Sequence, residues 1–155
     1  MHIKNITSSI IKTEQSLSTL PLRLIAGILF SAHGAQKLYA WFGGYGLDGT
    51  GQWMESIGLS PGYLMALMAG STEFFGGLLL IIGFLTRPTS FALAITMIVA
   101  IFTVHIDNGL FMASNGYEFG LSLLAITVAL FIQGGGKHSV DEKIYQALKK
   151  RLTIN

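Results

Sequence analysis

The chain has 155 residues, ten Lys and Arg against eight Asp and Glu, a net charge of +2, and 51% hydrophobic but only 12% charged residues. Its mean hydropathy is +0.57. Soluble domains carry about 25% charged residues, so this composition excludes an ordinary soluble domain, and so small a positive surplus excludes a nucleic-acid partner. With no cysteine, the chain by itself holds no disulfide, thiolate metal site, iron–sulfur cluster or CxxC redox pair.

Residues 1–19 form a polar N-terminal segment. Ile3, Ile6, Ile10 and Leu17 recur there at near-helical spacing, with Lys4 and Lys12 between them, the pattern of a short interfacial helix or a frayed tail. A first membrane span is predicted at about 21–41. A signal peptide ending at Ala32-x-Gly34 fits less well, because the apolar run continues past that point and the polar lead is long. Residues 40–61 are rich in Gly and aromatics (Trp41-Phe-Gly-Gly-Tyr-Gly-Leu-Asp-Gly-Thr-Gly-Gln-Trp53). They read as a long outer loop that serves as a lid or binding element, with a short surface helix near Trp53, Met54 and Ile57.

The second span is predicted at 63–84. Leu85-Thr-Arg87-Pro88 makes a hairpin into a third span at 89–105, and residues 106–117 form a second polar loop. The fourth span, 118–133, stops at Gly134-Gly-Gly136. In the tail, 137–155, Ser139-Val-Asp-Glu142 matches a capping box, and Val140, Ile144, Ala147 and Leu148 form one apolar stripe, as in an amphipathic surface helix. Fold class is therefore all-α: an integral membrane four-helix bundle over 20–136, flanked by the two polar segments. If the spans alternate, nine basic residues fall on one side and only Lys37 near the other, which carries Asp48, Glu55, Asp107 and Glu118. The positive-inside rule then puts both termini in the cytoplasm, in a bacterial inner membrane, with the two loops outside.

The residue around which this pattern is organised is Glu73, the one formally charged residue between Tyr63 and Phe84. A helix rises about 1.5 Å per residue, which puts Glu73 about 15 Å inside the outer end of its span. A carboxylate at that depth costs on the order of 3 kcal/mol, which membrane crossing does not require. On the first span His33, Gln36 and Lys37 share a helix face at i, i+3 and i+4. His105 and Glu118 sit at the outer ends of spans three and four. The candidate ligand-binding set is therefore His33, Gln36, Lys37, Glu73, His105 and Glu118, with Glu73 as candidate proton relay and either Lys37 or His33 as its partner. Ala66, Gly70, Glu73 and Gly77 lie on one face of the second span, and Gly27, Ser31 and Gly34 on the first, so the two backbones are expected to approach closely.

Against the functional reading stands a plain one for each group. A buried Glu–Lys pair also serves as interhelical glue, a His on an apolar face also serves as a core residue, and His105 and Glu118 also suit ordinary boundary positions. Haem ligation by His33 and His105 is disfavoured because one is deep and the other at the rim. A metal site from His33, Glu73 and His105 is set aside likewise, so no metal is expected and no covalently bound cofactor.

At these residues the chain resembles the DoxX family of small four-helix bacterial membrane proteins. The resemblance rests on Phe30-Ser-Ala-His33-Gly34-Ala-Gln36-Lys37, on Glu73-Phe-Phe-Gly76-Gly77 through Gly83-Phe-Leu-Thr-Arg87, on Thr96-Met97 through His105, and on Gly134-Gly-Gly136. It covers Pro21 to Gly136. It implies the fold, and it implies association with redox systems, since the family takes its name from a subunit associated with a quinone-linked terminal oxidase and thiosulfate oxidation. The expected function is a redox-associated subunit that binds a quinone-like or other small hydrophobic ligand in the outer half of the bundle; if it is an enzyme, it is part of a quinone-linked oxidoreductase. The partners expected are the lipid bilayer, redox proteins or a second copy. The alternatives are a partner-binding scaffold whose polar cluster is structural, or a small proton-coupled permease, which the lack of an inverted repeat disfavours.

Overall fold

The computed structural model describes residues 11–14 and 16–153, so the interfacial helix expected from Ile3, Ile6 and Ile10 lies outside the described residues. These are helical, with no strand among them. Six α-helices follow in order: α1 (Thr19–Tyr39), α2 (Gly46–Ser56), α3 (Gly62–Ile82), α4 (Thr86–Ala100), α5 (Glu118–Gln133) and α6 (Val140–Thr153). α4 continues through a π-helical turn, Ile101–His105, and 3-10 turns follow at Ile106–Asn108 and Met112–Ser114.

Helix boundaries follow local chemistry. α1 starts ahead of Pro21, which suits a first turn, where a missing N–H costs nothing. α3 ends at Gly83, whose φ of 67° is left-handed and favours a residue without Cβ. The Gly83 and Phe84 amides then bond back to Leu80 and Leu79, both at 3.0 Å. α4 begins at Thr86, three residues before the predicted start of the third span, because Arg87 and Pro88 fall within its first turn and the carboxylate of Asp141 receives the amides of Leu85 and Thr86, each at 2.8 Å. The 40–61 stretch is more ordered than a lid-like loop. Its glycines do not prevent α2, because Gly51 and Gly62 are where α2 meets α3: a Cβ on Gly51 would lie 3.0 Å from the Cα of Tyr63.

α1 and α3 pack most extensively, antiparallel, through a seam of small residues. A Cβ on Gly27 would sit 2.7 Å from the Gly77 carbonyl oxygen, one on Gly77 2.6 Å from the Ser31 nitrogen, and one on Gly34 2.7 Å from the Cα of Phe74. A side chain at any of these positions would force the helices apart. α4 packs on α5 and on α3, and α5 also touches α1. Ala26 and Phe30 of α1, Leu80 of α3, Leu93 and Met97 of α4, and Leu123 and Leu130 of α5 form the shared core. The outward faces are also apolar, with Ile25, Ile28, Phe75, Leu78, Ile82, Phe91, Ile95, Phe102, Val128 and Ile132 exposed. Water penalises such a surface and lipid does not. α3, and α4 through Asn108, are long and apolar enough to cross a membrane; α5 is apolar but shorter.

Candidate functional site at the loop end of the helices

Because α1 and α3 run antiparallel and touch along their glycine seam, the C-terminal half of one faces the N-terminal half of the other. That places Lys37 beside Glu73. The Lys37 ammonium donates to Glu73 Oε2 at 2.6 Å. Glu73 is 3% exposed, while the Lys37 side chain keeps 24% of its surface. Of the two partners that sequence left open for Glu73, the structure selects Lys37. The pair is charge-assisted and short, and it sits where few other groups compete for it.

His33 lies one turn below Lys37 on α1. Its ring packs on Phe119 of α5 with centroids 5.7 Å apart, and the charges of Lys37 and Glu73 and the Gln36 amide act on it. Gln36 turns the other way and donates from Nε2 to the Phe42 carbonyl at 3.3 Å, tying α1 to the turn that follows it. That turn holds two non-glycine residues in the left-handed region, Ala40 at φ 57° and Phe42 at φ 54°. Tyr39 and Trp41 each meet Phe74 edge-on beside it, at 5.3 and 6.5 Å between centroids, and pack on each other at a tilt, 5.5 Å apart.

His105 and Glu118 have other employment. His105 Nδ1 lies 2.8 Å from the Asn115 carbonyl oxygen, and Glu118 Oε1 accepts the Met112 amide at 2.5 Å. Both therefore organise the 106–117 loop. The six expected residues thus divide into Lys37 and Glu73 in contact, His33 and Gln36 around them, and two loop anchors. Among the described residues no group of three or more His, Cys, Asp or Glu gathers to hold a metal ion. Two shallow surface depressions lie elsewhere, one lined by Asp48, Gln52, Glu55 and Tyr63 on α2 and α3, the other by Thr72, Phe75, Leu79, Pro88 and Ala92 between α3 and α4.

A second buried polar cluster, at the opposite end, was not foreseen. Arg23, 1% exposed, donates from Nη1 to the Ile81 carbonyl at 2.5 Å and from Nη2 to the His138 carbonyl at 2.8 Å. Asp141, also 1% exposed, caps the start of α4 as described. Ser139 Oγ accepts the Glu142 amide at 3.0 Å, as a capping box requires, while Glu142 Oε2 receives the amide of His138 at 2.9 Å, one residue earlier than the usual return bond. The segment before α1 is tied in too: the Thr13 hydroxyl accepts the Gly136 amide, and the Ser16 carbonyl accepts that of Lys137 at 2.9 Å. Only Thr13, Arg23 and Asp141 being buried polar residues could have signalled this cluster, and burial is not visible in sequence.

An all-helical chain with apolar outer faces, membrane-length helices and an ion pair in its interior is the architecture of a helical membrane protein. The family model DoxX matches residues 18–106, and the chain belongs to the DoxX family of membrane proteins. It is similar to a Bacillus subtilis protein named "Putative oxidoreductase CatD", 38% identical over 74% of this chain and 78% of that protein. It is also similar to the Escherichia coli "Inner membrane protein YqjF", 33% identical over 84% of this chain and 94% of that protein. No solved structure matches the chain.

Proposed function

We propose that the chain is a multi-pass protein of a bacterial inner membrane whose α1, α3, α4 and α5 cross the bilayer as a four-helix domain, residues 20–136, with both termini cytoplasmic and 40–61 and 106–117 outside. The sorting of basic residues supports this orientation, and the name of the relative YqjF supports the inner-membrane location. Within the loop half, His33, Gln36, Lys37 and Glu73 bind the head group of a quinone-like or other small hydrophobic ligand, with His105 and Glu118 shaping the rim.

One observation carries the reading: a mid-helix carboxylate, 3% exposed, whose charge is matched by a lysine that is itself still accessible. A lysine that swings from Glu73 to a ligand carbonyl offers a hydrogen-bond donor there, and frees Glu73 to give or take the proton the carbonyl oxygen gains or loses. Electrons come from a partner redox protein, consistent with the name of the relative CatD. The competing reading is a scaffold in which Lys37 and Glu73 only staple α1 to α3, and the closed 2.6 Å pair favours it.

Glu73→Gln separates the two, because it keeps shape and hydrogen bonding but removes the charge. We expect the purified variant to melt within a few degrees of the parent and to lose the lipid-like small molecule that native mass spectrometry detects with the parent. A variant that melts early while retaining that molecule overturns the relay.

A further inference from the structure

The loop between α4 and α5 is built like a membrane-embedded element. α5 runs from Glu118 to Gln133, about 24 Å of rise against a hydrocarbon core of about 30 Å. Its far end is fixed in depth: the Arg87 guanidinium donates to the Phe131 carbonyl at 2.8 Å and to the Lys12 carbonyl at 3.0 Å, which marks a polar boundary near Phe131. From there to Glu118 the helix rises only about 20 Å. Something other than α5 must fill the remaining depth.

Much of the loop's main chain is bonded internally, as immersion demands. Irregular backbone survives in lipid only when its polar groups are satisfied internally. Here the Tyr117 amide bonds the Gly109 carbonyl at 3.1 Å, that of Glu118 bonds Leu110 at 2.9 Å, and those of Ser114 and Gly116 share the Phe111 carbonyl, both at 3.0 Å. Glu118 takes the Met112 amide, and Asn108 Nδ2 donates to the carbonyls of Val104 and Asn115 at 3.0 and 3.3 Å. The loop's middle turns an apolar run outward, with Phe111 66% exposed and Leu110 and Met112 exposed beside it, while the polar Asp107, Asn108, Ser114 and Asn115 are exposed on either side of that run. The run continues the exposed apolar face of α4 that ends in Phe102 and Ile106.

We infer that the 106–117 loop is a lipid-contacting element, with Leu110, Phe111 and Met112 inserted into the outer leaflet above the short α5 and Asp107 left to the head-group layer. The inference rests on the reading that α4 and α5 cross the bilayer. It places Glu118 below the membrane surface, where the N-terminus of α5 and the Met112 amide hold its charge.

The absence of cysteine allows a clean test. Single variants Phe111→Cys, Phe102→Cys and Lys137→Cys carry a nitroxide in vesicles of phosphatidylethanolamine and phosphatidylglycerol, and collisions with oxygen and with a water-soluble nickel chelate are compared. We expect the oxygen-to-nickel ratio at Phe111 to match that at Phe102 and to exceed that at Lys137 by about an order of magnitude. A ratio at Phe111 equal to that at Lys137, with Phe102 still lipid-exposed, overturns the inference and leaves the membrane reading intact. An aqueous Phe102 overturns both. Met112→Cys gives the same readout should Phe111→Cys fail to fold.

Discussion

The two ends of the helices handle buried charge in opposite ways. At the end that carries Gly83 and the start of α6, Arg23 and Asp141 are held by main-chain groups: the carbonyls of Ile81 and His138 for one, the amides of Leu85 and Thr86 for the other. At the loop end, Lys37 and Glu73 hold each other. A main-chain carbonyl or amide cannot swing to a new partner without moving the backbone, so the first arrangement is a lock. A lysine side chain has four rotatable bonds and can change partner, so the second is capable of exchange. Burial alone therefore does not identify a working residue; the mobility of its partner does.

The contrast is sharpest if each end is broken in turn. Arg23→Met keeps the apolar stem and strands two carbonyls, and we expect a loss of about 3 kcal/mol, read as early melting in mild detergent. The effect is moderated because Arg23 Nε already lacks a partner among the described residues. If instead this variant melts like the parent, the lock does not exist. Asp141→Asn retains one acceptor oxygen but replaces the other with a donor facing an amide, and about 1–2 kcal/mol should be lost. The same variant should release α6, which limited proteolysis at Lys143 reads directly. Glu73→Gln, by comparison, should spare stability and cost ligand.

The smallest effect expected is at Glu55 on α2. Its carboxylate accepts the Ser60 hydroxyl at 2.6 Å and the Gly62 amide, and these bonds hold its pKa below the ordinary value of 4.5. A depressed folded value means that its contribution to docking α2 on α3 is complete above pH 4.5 and is lost as pH falls through the lower folded value. Acid titration of Trp53 fluorescence should show a transition in that window that Glu55→Gln abolishes. An identical transition in the variant would assign it elsewhere.

Sequence showed most clearly what membrane physics makes expensive. Glu73 and Lys37 stood out because a charge in an apolar helix has few explanations, and the 3.6-residue spacing of Gly27, Ser31 and Gly34 announced the seam against α3. α5, the predicted fourth span, ended where the triple glycine required. Asp141 gave no such signal: beside Ser139 and Glu142 it looked like an ordinary first-turn acid, and its true partners, Leu85 and Thr86, are more than fifty residues away. Arg23 looked like a boundary cation for the same reason. The short helix expected near Trp53 is the second half of α2; its first half was obscured because glycine lowers helix propensity, whereas here Gly51 is needed for contact with α3. The roles of His105 and Glu118 depended on loop geometry that no periodicity encodes.

The glycine seam also bears on how the protein is made. Among the described residues, α3 and α4 meet the length and hydropathy of a membrane-crossing helix, whereas α1, with Arg23, His33, Gln36 and Lys37, does not. Of α1, α3, α4 and α5, α1 leaves the ribosome first, yet it is the least apolar of the four and the least able to partition into lipid by itself. Its arginine donates to the Ile81 carbonyl and its lysine to Glu73, and both acceptors belong to α3. On the proposed four-span reading, stable insertion of α1 therefore waits on synthesis of α3, and the close Gly27–Gly77 and Gly34–Phe74 approach brings the two into the bilayer together.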